Sequence, residues 1–466
     1  MNLSNIFYYL GKLNLLIIFF SLLNLLYCFY FDFNINLEIY FICLIISGFL
    51  YFLSFKIKLN LENFRSKDII LFSILGWVIL SFIMCLPFWV GGYGNFFNSY
   101  FESLSGLSSF GASILLGNLN LLDSPILLWR SSTQLVGAIY FVITIVLVLG
   151  NRDINLYPLK FITQKKDSVY FSVNFENIFN NTIYAFAILF LISLFFLNFT
   201  ELRILEKFTL AFTIISSGGF FISELFLTES DKIIISFLLI FSSLNIFLIL
   251  GLFKINNTYT FYEDRYFLFS FLFFLIVLIF FGNNVDLPNA IIYLASAISN
   301  SGINFVNYHN SNITFILLSA SFFGGCLISS TSGFKLSRIL IIFNKIYSEL
   351  LKLLTPSSII NSTIFKSKEK ITSGDFYSSS LLLFFYILMF ITFSFTLTLE
   401  NVKFEDSFLT SILLTFNTLP STMYLSEAID FSKFSDLTLF FSSVMLLLSK
   451  VTPLSVIALI KYTFIK

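Results

Sequence analysis

The sequence predicts an all-α polytopic membrane protein, with two leading helices followed by four helix–reentrant loop–helix units of fourfold pseudosymmetry around a pore. Three observations carry this. Of 466 residues, 57% are hydrophobic and only 11% are charged, whereas ordinary soluble domains carry about 25% charged residues. Long apolar spans recur along the whole chain. Between later pairs of spans lie four short segments that are variants of one another. They are Ser105-Gly106-Leu107-Ser108-Ser109-Phe110-Gly111, Ile214-Ile215-Ser216-Ser217-Gly218-Gly219-Phe220, Ala297-Ile298-Ser299-Asn300-Ser301-Gly302-Ile303 and Thr415-Phe416-Asn417-Thr418-Leu419-Pro420-Ser421. Backbone that breaks a helix at membrane depth is tolerated only where it is buried in protein or lines a watery path.

A window of about 20 residues finds spans near 10–31, 37–55, 69–90, 126–149, 181–199, 233–253, 266–282, 313–344, 378–398 and 436–465. The first is long enough to cross and is followed at once by another, so it reads as a retained helix rather than a signal peptide. The plan divides into a two-helix unit at 1–57 and pore repeats at 58–153, 154–256, 257–374 and 375–466. Filter positions fall at Gly111, Gly218, Gly302 and Leu419.

Charge orients the chain. Ten spans put both termini on one side, which carries twenty of the 27 basic residues, including the dense set Lys335, Arg338, Lys345, Lys352, Lys366, Lys368 and Lys370. The positive-inside rule makes that side cytoplasmic, and the four loops enter from outside. A net charge of +1 gives no indication of a nucleic-acid partner. Cys28, Cys43, Cys85 and Cys326 fall in apolar spans without metal or disulfide spacing and read as buried free thiols. The 66 phenylalanines resemble the mark of an AT-rich genome, so no single Phe carries functional weight.

A cation entering a bilayer must replace its hydration oxygens, and rings of backbone carbonyls do so where glycine lets the chain turn them toward an axis. Each preceding short helix aims the negative end of its dipole at the cavity. Ser108, Ser109, Ser216, Ser217, Ser299 and Ser301 add small oxygens without filling the lumen. A Ser–Gly cluster alone equally permits close helix packing, but three clusters at matching places favour an ion path.

The residues also carry a family resemblance. Gly76-Trp77, Leu86-Pro87-Phe88, Tyr100 to Leu107 and Trp129 to Gly137 resemble the first repeat of the TrkH/KtrB potassium-uptake family. Gly324-Gly325-Cys326, Ser329, Gly333, Lys335 and Arg338 resemble its third repeat, where a run of small residues interrupts the second helix. Ala211-Phe212, Ser217 to Phe220, Glu263 with Arg265, Pro356, and Asn417 with Pro420 match further landmarks in order. The resemblance implies a bacterial inner-membrane subunit without a cofactor, whose filter carbonyls select K⁺, or Na⁺ in some members. It places the filter at Ser108 to Gly111, Ser216 to Gly219, Asn300 to Gly302 and Asn417, Thr418 and Leu419. It further implies a homodimer gated by cytoplasmic nucleotide-binding regulatory subunits of RCK type.

Two departures from the family pattern bear on selectivity. The usual Asn-x-Gly-Pro-Gly reads Asn417-Thr418-Leu419-Pro420-Ser421, so a leucine stands at the fourth filter glycine and resists positive-φ backbone. The family's Gly-Arg-Leu-Glu reads Ser449-Lys450-Val451-Thr452. Lys450 inside a span has two readings: it snorkels to the cytoplasmic edge, or it faces the inner vestibule and hinders cations. The poor helix formers Gly324, Gly325, Ser329, Ser330 and Gly333 make either a kinked packing interface or an intramembrane loop beneath the filter that gates it. Lys335 and Arg338 read as interfacial anchors. Arg130 with Gln134, and Glu102, could form a polar brace outside the pore.

A channel-like K⁺ uptake subunit leads the functional readings. A secondary carrier would need an ionisable site at mid-membrane between repeats, and the spans offer no convincing carboxylate. An Na⁺-permeable or poorly selective member and a degenerate, nonconducting subunit both remain open because of Leu419. No nucleophile–base pair suggests an enzyme.

Overall fold

The computed structural model describes residues 3–57, 66–115, 122–150, 175–220, 227–252, 262–282, 285–305, 311–355, 363–364, 370–425, 427 and 429–451. Every helix described is α-helical apart from one short 3-10 turn at Phe431–Lys433, and no strand occurs among the described residues. The end of the tenth expected span, Pro356, His309 and the basic residues at 152–166, 254, 366–368 and 461–466 lie outside the described residues.

The leading pair, α1 (Leu3–Tyr30) and α2 (Asn34–Phe55), forms an antiparallel hairpin. Then come α3 (Ser66–Met84), the short α4 (Leu86–Val90) that Pro87 starts, α5 (Phe96–Leu107) and α6 (Ser124–Gly150). They are followed by α7 (Phe175–Leu197), α8 (Ile204–Ser216), α9 (Glu229–Ser243) and α10 (Ile246–Leu252). The next are α11 (Tyr262–Phe281), α12 (Leu287–Ile298), α13 (Ser311–Phe323) and α14 (Leu336–Leu354). The last are α15 (Ser373–Leu399), α16 (Phe404–Thr415) and α17 (Asp436–Lys450). Polar caps set the starts: Asn95 accepts from the Asn98 amide, Thr228 from Asp231, Thr372 from Asp375 and Ser435 from Thr438. The expected boundary at 374/375 therefore falls within the first turn of α15.

Seven of these helices are long and apolar enough to cross a bilayer. Their outward faces carry exposed residues such as Phe19, Phe29, Leu191, Phe195, Phe269, Phe273, Phe280, Phe384 and Phe395, which only an apolar solvent accommodates in such number. In contrast, α6 is buried along its crossing stretch.

Two expected spans are broken: 313–344 is interrupted by the loop between α13 and α14, and 233–253 bends sharply. Residues 233–253 do not form a continuous helix, because α9 and α10 meet at 96°. The cause is a set of competing hydrogen bonds. The Cys326 amide donates to the Ser243 carbonyl at 3.0 Å and the Ile246 amide donates to the Ile328 carbonyl at 2.8 Å. The Asn245 amide donates to Asp264 Oδ1 at 2.9 Å. A ladder interrupted by outside partners bends.

The short helices α5, α8, α12 and α16 sit in a ring. α6 leans on α8, α9 on α12 and α17 on α5. Phe322 at the end of α13 packs against Phe416 just past the end of α16, with ring centroids 5.5 Å apart and planes tilted by 56°. Each long second helix thus supports the short helix of the next hairpin, in cyclic order.

Candidate functional site: four helix ends around one axis

The four short helices end alike. Ser109, Ser217, Asn300 and Asn417 all adopt left-handed backbone, with φ of 61°, 53°, 61° and 50°. Such a residue followed by a backward amide bond is the usual way a helix closes its last carbonyls. Here the Phe110 amide donates to the Ser105 carbonyl at 3.0 Å, Gly218 to Thr213 at 2.9 Å and Thr418 to Leu413 at 2.9 Å. Left-handed Ser or Asn costs energy, and three of the four side chains are held. Ser217 Oγ meets Ser330 Oγ at 3.1 Å, Asn300 Nδ2 donates to the Ser321 carbonyl at 2.9 Å, and Asn417 Nδ2 donates to Ser449 Oγ at 2.8 Å.

Counting from these residues puts Gly111, Gly219, Gly302 and Leu419 at equivalent positions, so Gly219 rather than Gly218 is in register with the other three. Gly218 lies at the level of Phe110 and backs onto the Gln134 side chain, where a Cβ would come within 2.4 Å of Cδ. The four equivalent residues converge. A Cβ on Gly111 would lie 2.3 Å from Gly219 Cα, one on Gly219 2.7 Å from Leu419 Cβ, and one on Gly302 2.6 Å from the Leu419 carbonyl oxygen. Gly111 and Gly302 have positive φ, whereas Leu419 does not. Its side chain instead reaches the diagonally opposite segment.

A hydroxyl seven residues before the end of each segment ties three of the loops. Ser105 Oγ donates to the Ala112 carbonyl at 2.5 Å, Thr213 Oγ1 to Phe220 at 2.9 Å and Ser296 Oγ to Ile303 at 2.8 Å. Leu413 and Pro420 stand at the matching places of the fourth segment and cannot make this bond. No single segment signals this brace in sequence, although aligning the four on their helix ends brings the three hydroxyls into register.

Behind the ring is a buried polar scaffold. Arg130 Nε and Glu102 Oε1 form an ion pair at 2.9 Å, with side chains 3% and 0% exposed. Glu102 also accepts from Ser113 Oγ and the Ile114 amide, which fixes the chain leaving the first segment. The Arg130 guanidinium lies 4.2 Å from the Phe220 ring centroid. With its amide oriented to satisfy its neighbours, Gln134 donates to Thr213 Oγ1 and accepts from the amides of Gly219 and Phe220. The brace thus joins the first two segments.

The loop between α13 and α14 packs against the ring. Besides the Ser217–Ser330 contact, a Cβ on Gly324 would lie 3.3 Å from Asn300 Oδ1. Gly325, Ser329 and Ser330 are buried within it, and Gly333 closes it at φ 76°. Lys335 and Arg338 are not interfacial anchors: both are buried, 2% and 7% exposed. Lys335 Nζ donates to the carbonyls of Cys326 and Thr331 and to the hydroxyls of Ser329 and Thr331, at 2.6 to 3.1 Å. A buried ammonium needs such acceptors, and a loop of small residues with free carbonyls supplies them. Lys450 does not snorkel either. It is 3% exposed, donates to Ser332 Oγ at 2.6 Å and lies 4.3 Å from the Phe141 ring centroid. A cavity lined by Phe141, Ser332, Lys335, Tyr386, Ser449 and Lys450 lies at this level.

The chain is therefore a polytopic helical membrane protein in which four short-helix ends converge and the loop between α13 and α14 packs against them. Its fold is that of the potassium transporter TrkH of Vibrio parahaemolyticus, whose crystal structure it matches with a TM-score of 0.80 over 100% of both chains at 19% identity. In sequence it is 24% identical to the potassium uptake protein TrkH of Halomonas elongata over 355 residues, 70% of this chain and 73% of that one. It is 24% identical to TrkG of Escherichia coli over 380 residues, 74% of each. It is also 23% identical over 304 residues to an uncharacterized cation transporter of Methanocaldococcus jannaschii, covering 64% of this chain and 63% of that protein's length. No protein-family model matches the chain. The resemblance to the TrkH/KtrB family holds in sequence and in fold alike.

Proposed function

We propose that the chain is the membrane-embedded subunit of a monovalent cation uptake system, passing K⁺ through a channel-like pore at the centre of the four helix ends. The observation that carries this is the set of left-handed residues at Ser109, Ser217, Asn300 and Asn417, which turns four successive backbone segments toward one place. Carbonyl rings there suit a dehydrated alkali cation and no larger substrate. The names of the relatives, TrkH and TrkG potassium uptake proteins, support the same reading. In it, the pore repeats carry the filter residues, the loop from Gly324 to Gly333 with Lys450 forms the barrier below, and both termini are cytoplasmic in a bacterial inner membrane. A homodimer and an RCK-type nucleotide-binding regulator belong to the proposal through the family resemblance.

Flux of K⁺ and Na⁺ into liposomes containing the purified protein, with and without a candidate regulator, tests it. Cation flux above that of empty liposomes is expected, and none under either condition would refute it. That second outcome is the one a nonconducting subunit predicts, a reading favoured by the Leu419 side chain lying against Gly219.

A further inference from the structure

Ser421 makes two hydrogen bonds at the ring of Gly111, Gly219, Gly302 and Leu419. Its amide donates to the Leu419 carbonyl at 2.9 Å, closing a tight turn over Pro420. Its hydroxyl donates to the Gly302 carbonyl on the neighbouring segment at 2.5 Å. Ser421 is only 8% exposed, so water does not readily replace it in either bond. The Leu419 carbonyl oxygen also lies against Gly302, where an added Cβ would come within 2.6 Å of it. The other two residues of the ring, Gly111 and Gly219, belong to the first and second segments, away from these two bonds.

From this we infer that Ser421 is a specificity-determining residue that occupies two of the four carbonyls at the Gly111 level and lowers discrimination between K⁺ and Na⁺. The inference rests on the proposed cation path. A hydrogen bond withdraws a lone pair from an oxygen and fixes the direction of the carbonyl dipole. Two carbonyls from adjacent segments cannot replace a potassium ion's hydration shell, so an ion at this level keeps part of its water. Discrimination depends on the number and field strength of the coordinating dipoles, and a half-ring supplies both in reduced measure. The ring one residue earlier still holds a cation, so passage persists while preference falls. Two segment features make this possible together. Leu419 declines positive φ and its carbonyl lies against Gly302, and Leu413 and Pro420 leave the fourth loop without the hydroxyl brace of the other three, so Ser421 lies free to reach across.

The test compares the parent with Ser421→Ala, Ser421→Gly and Ser421→Thr as full-length protein in liposomes, using Rb⁺ and Na⁺ tracer uptake. Removing the hydroxyl in the Ala and Gly variants should raise the Rb⁺/Na⁺ flux ratio by roughly fivefold, the equivalent of one net hydrogen bond. The Thr variant, which keeps the hydroxyl, should retain the parent ratio. Thermal unfolding of the same proteins in RbCl against NaCl gives a second readout, in which the Ala and Gly variants should gain stabilisation by Rb⁺ over Na⁺. Parent flux with an unchanged ratio and unchanged ion stabilisation in both hydroxyl-free variants overturns the inference and leaves the cation path intact. Absence of flux from all four proteins, with Rb⁺ selectively stabilising the hydroxyl-free pair, overturns conduction but keeps the ring as a cation site whose preference Ser421 sets. Absence of both responses overturns both.

Discussion

Lys450 Nζ donates to Ser332 Oγ at 2.6 Å, joining the last described helix to the loop that lies against the four converging segments. The residue before it, Ser449, exchanges hydrogen bonds with the Asn417 side chain at 2.8 and 3.0 Å. Two consecutive residues of α17 therefore hold the fourth segment and the loop at once. Movement of α17 would disturb both together.

Replacing Lys450 with Ala should raise basal cation flux in liposomes lacking any regulator. A fixed ammonium beside the proposed ion path opposes a passing cation, and relief of about 1.4 kcal/mol of that barrier would raise flux roughly tenfold. Ser332→Ala, which breaks the bond but keeps the charge, should raise flux less. Equal flux in parent and Lys450→Ala proteins that purify and unfold alike would confine Lys450 to a packing role.

Gly137 on α6 faces the end of α5 so closely that a Cβ would lie 1.9 Å from the Leu107 carbonyl oxygen. Both partners are backbone and neither helix can retreat without opening the core. Gly137→Ala should therefore destabilise by about 3 kcal/mol or more, through overpacking, and displace the first segment. A fall in the melting temperature of the purified protein in detergent checks this, and an unchanged one would contradict the packing of α5 on α6.

The Glu102–Arg130 pair makes a different prediction. Removing one partner leaves the other charged and buried, which costs roughly 3 to 5 kcal/mol. Glu102→Ala also orphans the Ser113 hydroxyl and the Ile114 amide, so it should be the worse of the two single changes. The paired variant Glu102→Met with Arg130→Met should lose less than the sum of the singles. Additive losses in thermal denaturation would mean that the two charges are not coupled.

Much of the fold was legible because its signals are large. Apolar spans, the polar segments between them and the glycine–serine run from Gly324 to Gly333 all stand out against a chain with 11% charged residues. The brace of Glu102, Arg130 and Gln134 was also readable, since charges in an apolar setting need partners. Register was not. Either of the adjacent Gly218 and Gly219 can be aligned with Gly111 and Gly302 in sequence, and the left-handed Ser217 puts Gly219 in register with them. The bend at Leu244-Asn245 was hidden for a related reason. Its cause lies in bonds to Cys326, Ile328 and Asp264, far along the chain. The burial of Lys335 escaped because its acceptors are mostly carbonyls and hydroxyls of the loop itself, which no charge pattern reveals.

The bend also yields the last prediction. Glu263, at the start of α11 and 1% exposed, accepts from the Leu327 amide at 2.9 Å and faces the Asn245 side-chain amide at 3.5 Å. It thereby fastens the loop to the break between α9 and α10. Glu263→Ala leaves the Leu327 amide buried without its acceptor, at a cost of about 1 to 3 kcal/mol, and frees the loop at the end remote from Lys450. Glu263→Gln keeps one acceptor oxygen and should lose less. If the loop is the barrier, Glu263→Ala should lower the melting temperature and raise regulator-free cation flux in the same preparation. A lower melting temperature with flux unchanged would make Glu263 a structural anchor only and would move the barrier away from the loop.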